Sequence, residues 1–378
     1  MRPRLPIMFL TLFLLLTMES TLRAQPEIRG EDWGLDSCLF CDLPEVTSED
    51  IERIISGLIQ PLASTLSNFI TPADDELHVK QGLRVVIFSP HPDDETLAAG
   101  GLMHRVVEAG GEVRVVLVTN GDGYPEAVRR QLGHPARTSH DFIEYGRSRL
   151  NEAQQAVCEV GLQRENLIFL GFPDDGVDDL LNEHWSKLRP YTSPYTNFTC
   201  AGYRESFKRW AVYAGVNLKD EIARILVEFC PDWIILPDPR DYHPDHCATG
   251  LFVLEALRQL NQDGKILVNN IEILTYLVHF EGYPTSPNWM QLARRSGFFM
   301  SSTGCGILSS TEWLELPLAN DDLDAKKRAL SAYQSQEQML GGFFKFFSEP
   351  REIFGRLEPV QALAIPQQYT LTFRQPNS

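Results

Sequence analysis

The sequence predicts an α/β protein built on one doubly wound, mostly parallel sheet with helices on both faces. Short runs rich in Val, Ile, Leu and Phe alternate along the chain with segments whose apolar residues recur at helical spacing. These runs are continuously apolar, as strands covered on both faces are. The order strand, helix, strand predicts parallel β/α units, because parallel neighbours need a crossover connection.

The first β/α unit is the most clearly marked. The run VVIF within 84–89 predicts a buried strand, the segment 95–108 predicts a helix, and EVRVVLVT at 112–119 predicts the next strand. The two glycines of NGDG at 120–123 predict a turn at the end of that strand. The same patterns then predict, in chain order, a helix at 148–160, a strand at 167–170, a helix at 218–229, a strand at 231–236, a helix at 246–260, a strand at 271–278 and a helix at 325–340.

A long insertion at 177–216 interrupts this alternation. It is rich in Tyr, Trp, Pro, Ser and Thr. Aromatic loops of this kind can form the wall of a sugar site, and they can equally pack as ordinary surface. The sequence leaves both interpretations open.

The chain is expected to contain one catalytic domain with appended segments. The predicted regions are a signal peptide at 1–24, an N-terminal extension at 25–80 with an amphipathic helix at 48–69, a single catalytic domain at 81–345, and a C-terminal segment at 346–378. The signal peptide is indicated by Arg2 and Arg4, the apolar stretch that follows, and a small residue at Ala24. We therefore expect export to the periplasm or the exterior. An uncleaved N-terminal anchor is the alternative, and it would be the protein's contact with a membrane.

Composition excludes some classes of function. With 378 residues and 43% hydrophobic residues, the chain can bury a large core but is too polar for a multispanning membrane protein. Its formal net charge of -17 argues against a nucleic-acid partner, because phosphate binding needs a concentrated basic face. Seven cysteines are an odd number, so at least one thiol stays unpaired within the chain. The oligomeric state is not indicated.

A histidine and three acids follow directly on the first predicted strand. Residues 91–95 have the sequence HPDDE. Ionised carboxylates resist burial unless they are paired or bound to a metal, so a divalent metal would account for them. The alternative is that Asp93 or Asp94 only caps the helix that follows.

A second cluster follows the strand predicted at 231–236. Residues 237–246 have the sequence PDPRDYHPDH. Because a doubly wound sheet collects its strand ends at one edge, we expect the two clusters to lie together. Two histidines and one aspartate would fit a catalytic zinc site with an open position for water. Taken alone, the second cluster is equally compatible with a surface turn rich in Pro and Asp.

With these two motifs in this order, the chain resembles the PIG-L/LmbE family of metal-dependent N-acetylglucosamine de-N-acetylases. The motifs HPDDE at 91–95 and HPDH at 243–246 carry the resemblance, which covers residues 83–345. Supporting matches are TNGD at 119–122, RLNE at 149–152 and YQSQ at 333–336. The resemblance implies a Rossmann-like α/β fold, in agreement with the pattern of strands and helices.

The resemblance also implies roles for particular residues. His91, Asp94 and His246 match the zinc ligands of the family, and Asp93 matches its general base. His243 matches the residue that, when protonated, stabilises the oxyanion with the metal. Zinc is the expected cofactor, and another divalent metal such as Fe²⁺ is compatible with the same donors.

Three further residues are candidates for the site. Asp245 is expected to orient an imidazole, with helix capping as the alternative. Arg149 matches a family position that contacts substrate hydroxyls, with a helical pair to Glu152 as the alternative. Asp174 is a candidate for a sugar-hydroxyl contact, with a turn as the alternative.

We therefore expect an exported zinc-dependent deacetylase whose substrate is an N-acetylglucosamine-type sugar or its glycoconjugate. One alternative is an amidase that cleaves a larger acyl or peptidyl amide in a wider cleft provided by the insertion at 177–216. Another is a non-catalytic carbohydrate-binding protein of the same fold. That alternative predicts a missing base or ligand, and the sequence retains all of them.

Overall fold

The computed structural model describes residues 76–280 and 312–373 of the chain. They belong to one unit, Ile70–Ser378. The predicted signal peptide at 1–24 and the predicted amphipathic helix at 48–69 lie outside the described residues. Within the described ranges, no helix combines the length and the apolar character needed to cross a membrane.

A seven-stranded sheet forms the centre of this unit. Its strands are β1 Arg84–Ser89, β2 Glu112–Thr119, β3 Leu167–Phe172, β4 Trp233–Pro237, β5 Glu272–Tyr276, β6 Glu312–Pro317 and β7 Arg351–Leu357. Their spatial order is β3-β2-β1-β4-β5-β7-β6. The first five strands are parallel, and β7 pairs antiparallel with β5 and with β6. The predicted α/β class with a mostly parallel sheet is confirmed.

Helices cover both faces of this sheet. In the described ranges they are α1 Asp94–Glu108, α2 Pro125–Leu132, α3 Ser139–Glu159, α4 Val177–Asn182, α5 Gly215–Phe229, α6 Pro244–Gln262, α7 Asn320–Ala332, α8 Gln334–Phe344 and α9 Pro359–Phe373. Apolar side chains of α1, α3 and α7 belong to one hydrophobic cluster, and those of α4, α5, α6 and α9 belong to a second.

Strand β1 shows why its sequence is apolar without interruption. Val85 and Ile87 contribute to the first cluster, whereas Val86 and Phe88 contribute to the second. All four side chains are fully buried. A strand covered on both faces needs apolar residues at every position, because successive side chains point to opposite faces.

The predicted bounds hold best for the first unit and less well for later elements. Strands β1 and β2 begin and end where predicted. Helix α3 begins well before the predicted residue 148, because Thr138 and Asp141 form a capping box at its start. The helix predicted at 325–340 is two helices, because the backbone of Tyr333 leaves the helical region at φ -82 and ψ 60.

The sheet continues beyond residue 345, where the sequence placed the end of the catalytic domain. Strand β7 lies inside the sheet, between β5 and β6. Ala362 and Ile365 of α9 pack in the second hydrophobic cluster. Strands β6 and β7 were not predicted because charged residues interrupt their apolar runs, whereas the parallel strands are nearly continuously apolar.

The insertion at 177–216 forms α4 and then an irregular segment packed on the sheet. Tyr191, Tyr203 and Tyr213 in this segment are buried. Tyr213 donates a hydrogen bond to the carbonyl oxygen of Gly171 at 2.9 Å. The sequence left open whether this insertion forms the wall of a sugar site or packs against the protein. These three tyrosines pack against the protein.

The position of β7 predicts a strong dependence of stability on the C-terminal segment. Phe354 is fully buried in the first hydrophobic cluster, so Phe354→Ala should lower the free energy of unfolding by about 3–5 kcal/mol. Val360→Ala is the control, because Val360 is 78% exposed, and it should change stability by no more than about 0.5 kcal/mol. Urea unfolding measures both. Equal effects would contradict the placement of β7 in the sheet.

Candidate functional site

The two sequence clusters meet at one edge of the sheet. Strands β1 and β4 are adjacent and parallel, so the residues that follow them emerge side by side. The strand order reverses between these two strands, which makes this edge the switch point where α/β proteins bind ligands. His91 follows β1, and His246 lies in the first turn of α6 after β4.

Asp94 lies between two imidazoles. Its Oδ2 atom is 3.2 Å from His91 Nδ1 and 3.1 Å from His246 Nε2. Two ligand atoms that are each about 2.05 Å from a tetrahedral zinc lie about 3.3 Å apart. Each of these two distances therefore fits a pair of ligands on one metal ion. Among the described residues, the groups of three whose ligand atoms all lie within 4.8 Å of one another are His91 with His243 and His246, Asp94 with His246 and His279, and His91 with Asp174 and Asp245.

The opposite nitrogens of the two rings face other carboxylates. His91 Nε2 is 3.0 Å from Asp174 Oδ1 and 3.3 Å from Asp245 Oδ2. His246 Nδ1 is 3.5 Å from Asp241 Oδ2. Metal-binding histidines commonly direct their second nitrogen at a carboxylate, which sets the tautomer and the ring orientation. Each histidine has this arrangement here.

His246 provides a test of whether the site suits a metal. The residue is fully buried, yet neither ring nitrogen makes a hydrogen bond of good geometry with a described residue. A buried nitrogen without a hydrogen bond is costly unless another partner takes its lone pair. A metal ion at Nε2 would be such a partner, so the donor set of His91, Asp94 and His246 fits one.

The pKa values of these groups are strongly perturbed. Burial opposes charge on His246, but the nearby Asp94 and Asp241 carboxylates raise its pKa to about 9. The pKa of His91 is also raised despite burial, chiefly by Asp174. Burial opposes charge on Asp94 too, but His246 and His91 hold its pKa well below the ordinary value. A metal ion must therefore displace protons from both imidazoles at neutral pH.

Asp93 is held in an unusual backbone conformation next to this set. Its φ is 134, a region that favours glycine, and its N–H donates to Glu95 Oε2 at 3.2 Å. The side chain makes no capping hydrogen bond to α1, so capping does not account for this residue. Burial raises the pKa of Asp93 well above its ordinary value, while Arg149 opposes the rise. A raised pKa suits a carboxylate that accepts a proton near neutral pH.

Arg149 directs its guanidinium at the segment that carries Asp93. It donates to the carbonyl oxygens of Gly121 at 3.1 Å and Pro92 at 2.6 Å, and Nη2 is 3.2 Å from Asp93 Oδ2. A Cβ atom at Gly121 would lie 1.9 Å from Arg149 Nη1, so this close approach requires glycine. Glu152 accepts hydrogen bonds from Ser335. Contact of Arg149 with substrate hydroxyls stays a prediction.

Asp174 and Asp245 both hold the His91 ring. Asp245 also accepts hydrogen bonds from the N–H groups of Asp175 at 2.8 Å and Val177 at 2.9 Å. It therefore binds the start of α4 and does not cap its own helix. The second oxygen of Asp174 accepts from the N–H of Gly123. The structure thus gives Asp174 protein partners, and a sugar contact by this residue stays a prediction.

His243 caps helix α6 and is favoured in its neutral form. Its Nδ1 accepts a hydrogen bond from the N–H of Asp245 at 3.3 Å, which leaves the ring proton on Nε2. Burial, together with the neighbouring His91 and His246, lowers its pKa to about 3. The resemblance implies a protonated His243, whereas these surroundings oppose a positive charge on the ring.

A cavity of about 400 Å³ opens onto the site. Its lining combines the polar residues of the site with apolar side chains of α8. The described lining residues are His91, Asp93, Asp94, Leu97, Gly123, Tyr124, Pro125, Glu126, Arg149, Asp174, Asp175, His243, His279, Gln336, Leu340, Phe343 and Phe344. None of these described lining residues comes from the insertion at 177–216. The amidase alternative expected that insertion to provide a wider cleft.

Two residues of the site were not predicted as functional. Asp241 is buried beside His246, and its carboxylate accepts from the N–H groups of His243, Val278 and His279. His279 follows β5, and its ring centroid lies 4.9 Å from that of His246. His279 was not among the candidate site residues taken from the sequence. The strand end before it was the signal that placed it at the edge of the sheet.

Comparisons with known proteins agree with this site. Residues 86–257 match the family model described as GlcNAc-PI de-N-acetylase, PIG-L. A relative from Mycobacterium sp. strain KMS, a 1D-myo-inositol 2-acetamido-2-deoxy-alpha-D-glucopyranoside deacetylase, is 30% identical over 44% of this chain and 47% of its own length. A protein of the same description from Kribbella flavida is 26% identical over 72% of this chain and 89% of its own length. The chain spans about half the length of the mycobacterial relative.

Among solved structures, an N,N'-diacetylchitobiose deacetylase from Pyrococcus horikoshii is similar over 85% of this chain and 96% of that chain. The identity is 17% and the TM-score is 0.43. The match to the family model covers β4, both histidine motifs and all but the first two residues of β1. Residues 86–257, less than half of the chain, are therefore similar to the PIG-L family.

Proposed function

We propose that this protein is a metal-dependent N-deacetylase that removes acetate from an N-acetylglucosamine-type sugar or glycoconjugate and leaves a free amine. The observation that carries the proposal is the convergence of His91, Asp94 and His246 beside a buried base, Asp93, at the head of one cavity. The match of residues 86–257 to the PIG-L family model and the deacetylase descriptions of the relatives support it. Export through the predicted signal peptide at 1–24 is part of the proposal.

Zinc is the proposed metal. His91 Nδ1, Asp94 Oδ2 and His246 Nε2 would hold it, and two imidazoles with one carboxylate form a donor set of catalytic zinc sites. Fe²⁺ is compatible with the same donors. When bound, the metal would polarise the amide carbonyl and lower the pKa of the attacking water.

Asp93 is placed to move the proton that hydrolysis must transfer. Water adds to the acetyl carbonyl, its proton passes to Asp93, and the same proton goes to the departing nitrogen when the C–N bond breaks. Arg149 and the Glu95 carboxylate hold Asp93 from two sides, through its side chain and its N–H. This support fixes the orientation of the base before substrate binds.

His243 is placed to bind the developing oxyanion. Its ring lies against that of His91, with centroids 4.7 Å apart, and it lines the cavity. Because Nδ1 is occupied by the N–H of Asp245, a neutral His243 presents its Nε2–H as a donor. A hydrogen-bond donor aimed at the charge that develops in the transition state lowers the barrier.

The charge of the cavity favours a neutral or cationic substrate. Of the described lining residues, Asp174, Asp175 and Glu126 add acidic groups to those of the metal set, and Arg149 is their one side chain with a permanent positive charge. Arg149 already pairs with Asp93. An uncharged amino-sugar glycoside meets less repulsion here than an anionic one. The amidase alternative lacks support, since the insertion does not line the described cavity.

The direct test of this proposal is release of acetate from N-acetylglucosamine and its glycosides. We expect purified protein to release acetate and free amine in equal amounts, to lose activity with a chelator, and to regain it with Zn²⁺. Activity should be lost and recovered in this way because the metal would supply the Lewis acid that polarises the amide carbonyl. Absence of turnover on every glycoside, with zinc shown to be bound, would reject the proposal.

The role of Asp93 can be separated from metal binding. Asp93→Asn should lower kcat by about 10²–10⁴-fold, since the base is lost, while zinc affinity changes little. Asp175→Asn is the matched control, because Asp175 lines the same cavity but its carboxylate accepts from Tyr195. Steady-state kinetics and zinc titration measure both variants. Equal losses of kcat in the two variants would contradict the assignment of the base.

The raised pKa values of His91 and His246 predict proton release on metal binding. In the metal-free protein the carboxylates around both imidazoles favour the protonated rings, since the pKa of His246 is raised to about 9 and that of His91 is also raised. Zinc must displace these protons, so zinc affinity should increase from pH 6 towards pH 9. Calorimetry in buffers of different ionisation enthalpy should show net proton release on zinc binding. No net release at pH 7 would contradict this account.

A further inference from the structure

Helix α1, which begins with Asp94, is broken after its first turn. Ala99 has φ -140 and ψ 21, outside the helical region. The short segment before the break, residues 94–98, starts with the candidate metal ligand and follows directly on the base Asp93. Sharp helix breaks have local causes, such as a side chain inserted into the hydrogen-bond ladder.

A buried ion pair is inserted at this break. In a regular helix the N–H of Gly101 would donate to the carbonyl oxygen of Leu97. Here that N–H donates to Glu352 Oε1 at 2.8 Å, and that carbonyl accepts from Lys326 Nζ at 2.8 Å. Lys326 Nζ and Glu352 Oε1 are 2.7 Å apart, and each side chain is 1% exposed. The ion pair thus binds both the donor and the acceptor of the backbone hydrogen bond that would close this turn.

The pair comes from elements that follow the family match at 86–257. Lys326 is in α7 and Glu352 is in β7. Glu352 also accepts from the N–H of Leu102 at 2.9 Å, so both of its oxygens bind backbone of α1. A Cβ atom at Gly100 would lie 2.8 Å from Lys326 Cγ, so the lysine stem packs directly against the broken turn.

The other end of the 94–98 segment is anchored as well. Glu95 is fully buried and its carboxylate accepts from Tyr333 Oη and from Thr96 Oγ1. It also accepts from the N–H of Asp93. Residues 94–98 are therefore held at both ends by side chains of the C-terminal part of the chain.

We infer that Lys326 and Glu352 are positioning residues for the metal centre: by holding the break in α1, they set where Asp94 stands relative to His246. Without the pair, the N–H of Gly101 and the carbonyl of Leu97 would bond to each other and the helix would straighten. Asp94 would then move relative to His246, which belongs to α6. This inference rests on the proposed metal centre and adds a function to the part of the chain after residue 257.

Zinc affinity of the double variant Lys326→Met/Glu352→Leu tests the inference. Replacing both charges leaves no buried charge unpaired, and such replacements often keep a protein folded. We expect a folded protein whose zinc affinity is lower by about 10- to 100-fold, the range seen when residues that orient metal ligands are removed. Competition with a chromophoric chelator measures the affinity without an activity assay.

The matched control is Arg105→Met/Asp322→Asn. This ion pair also joins α1 to α7, but it lies beyond the break. Its loss should lower the thermal stability and leave zinc affinity unchanged. A merely structural role of Lys326 and Glu352 would give the same result as this control.

Gly100→Ala provides a second test of the positioning role if the double variant fails to fold. It keeps both charges but places a methyl group against the Lys326 stem, so it should also lower zinc affinity in a folded protein. Unchanged affinity in the folded variants would overturn the inference and leave the proposed function intact. Failure of the unaltered protein to bind zinc would overturn both together.

Discussion

The carboxylate of Asp94, buried between the imidazoles of His91 and His246, is the interaction on which the site depends. A buried carboxylate needs compensating positive charge or hydrogen bonds, and here two protonated rings or one metal ion can supply the charge. The second nitrogens of these rings face Asp174, Asp245 and Asp241, so each ligand is oriented from behind. Acidic groups on both sides of the histidines favour binding of a divalent cation at this site.

The sheet makes this concentration of charge feasible. Residues that are far apart in sequence meet because β1, β3, β4 and β5 all end at one edge, and the strand order reverses between β1 and β4. The core strands beneath are apolar on both faces and are buried between the two hydrophobic clusters. Elements after residue 257 then complete the site: α8 lines the cavity, and α7 and β7 hold the break in α1.

The sequence was sufficient for the parts of the structure that follow from local patterns. Continuous apolar runs identified β1 and β2, and the two histidine motifs identified the cluster around Asp94. Strands β6 and β7 have apolar runs interrupted by charged residues, so they lacked that pattern and were missed. The contact of Lys326 with Leu97 joins residues distant in sequence and depends on packing. The neutral state favoured for His243 depends on burial and on two neighbouring rings, which no motif specifies.

The position of the metal is the central claim, and anomalous diffraction from crystals of the zinc-loaded protein tests it most directly. The account predicts one strong peak within bonding distance of His91 Nδ1, Asp94 Oδ2 and His246 Nε2. Zinc–nitrogen distances of about 2.0–2.1 Å would confirm coordination. The contradicting result is a peak on the opposite side of the His91 ring, where His91, Asp174 and Asp245 form a group with spacing suitable for a metal ion. In that case Asp94 would not be a ligand, and the roles assigned around it would have to be withdrawn.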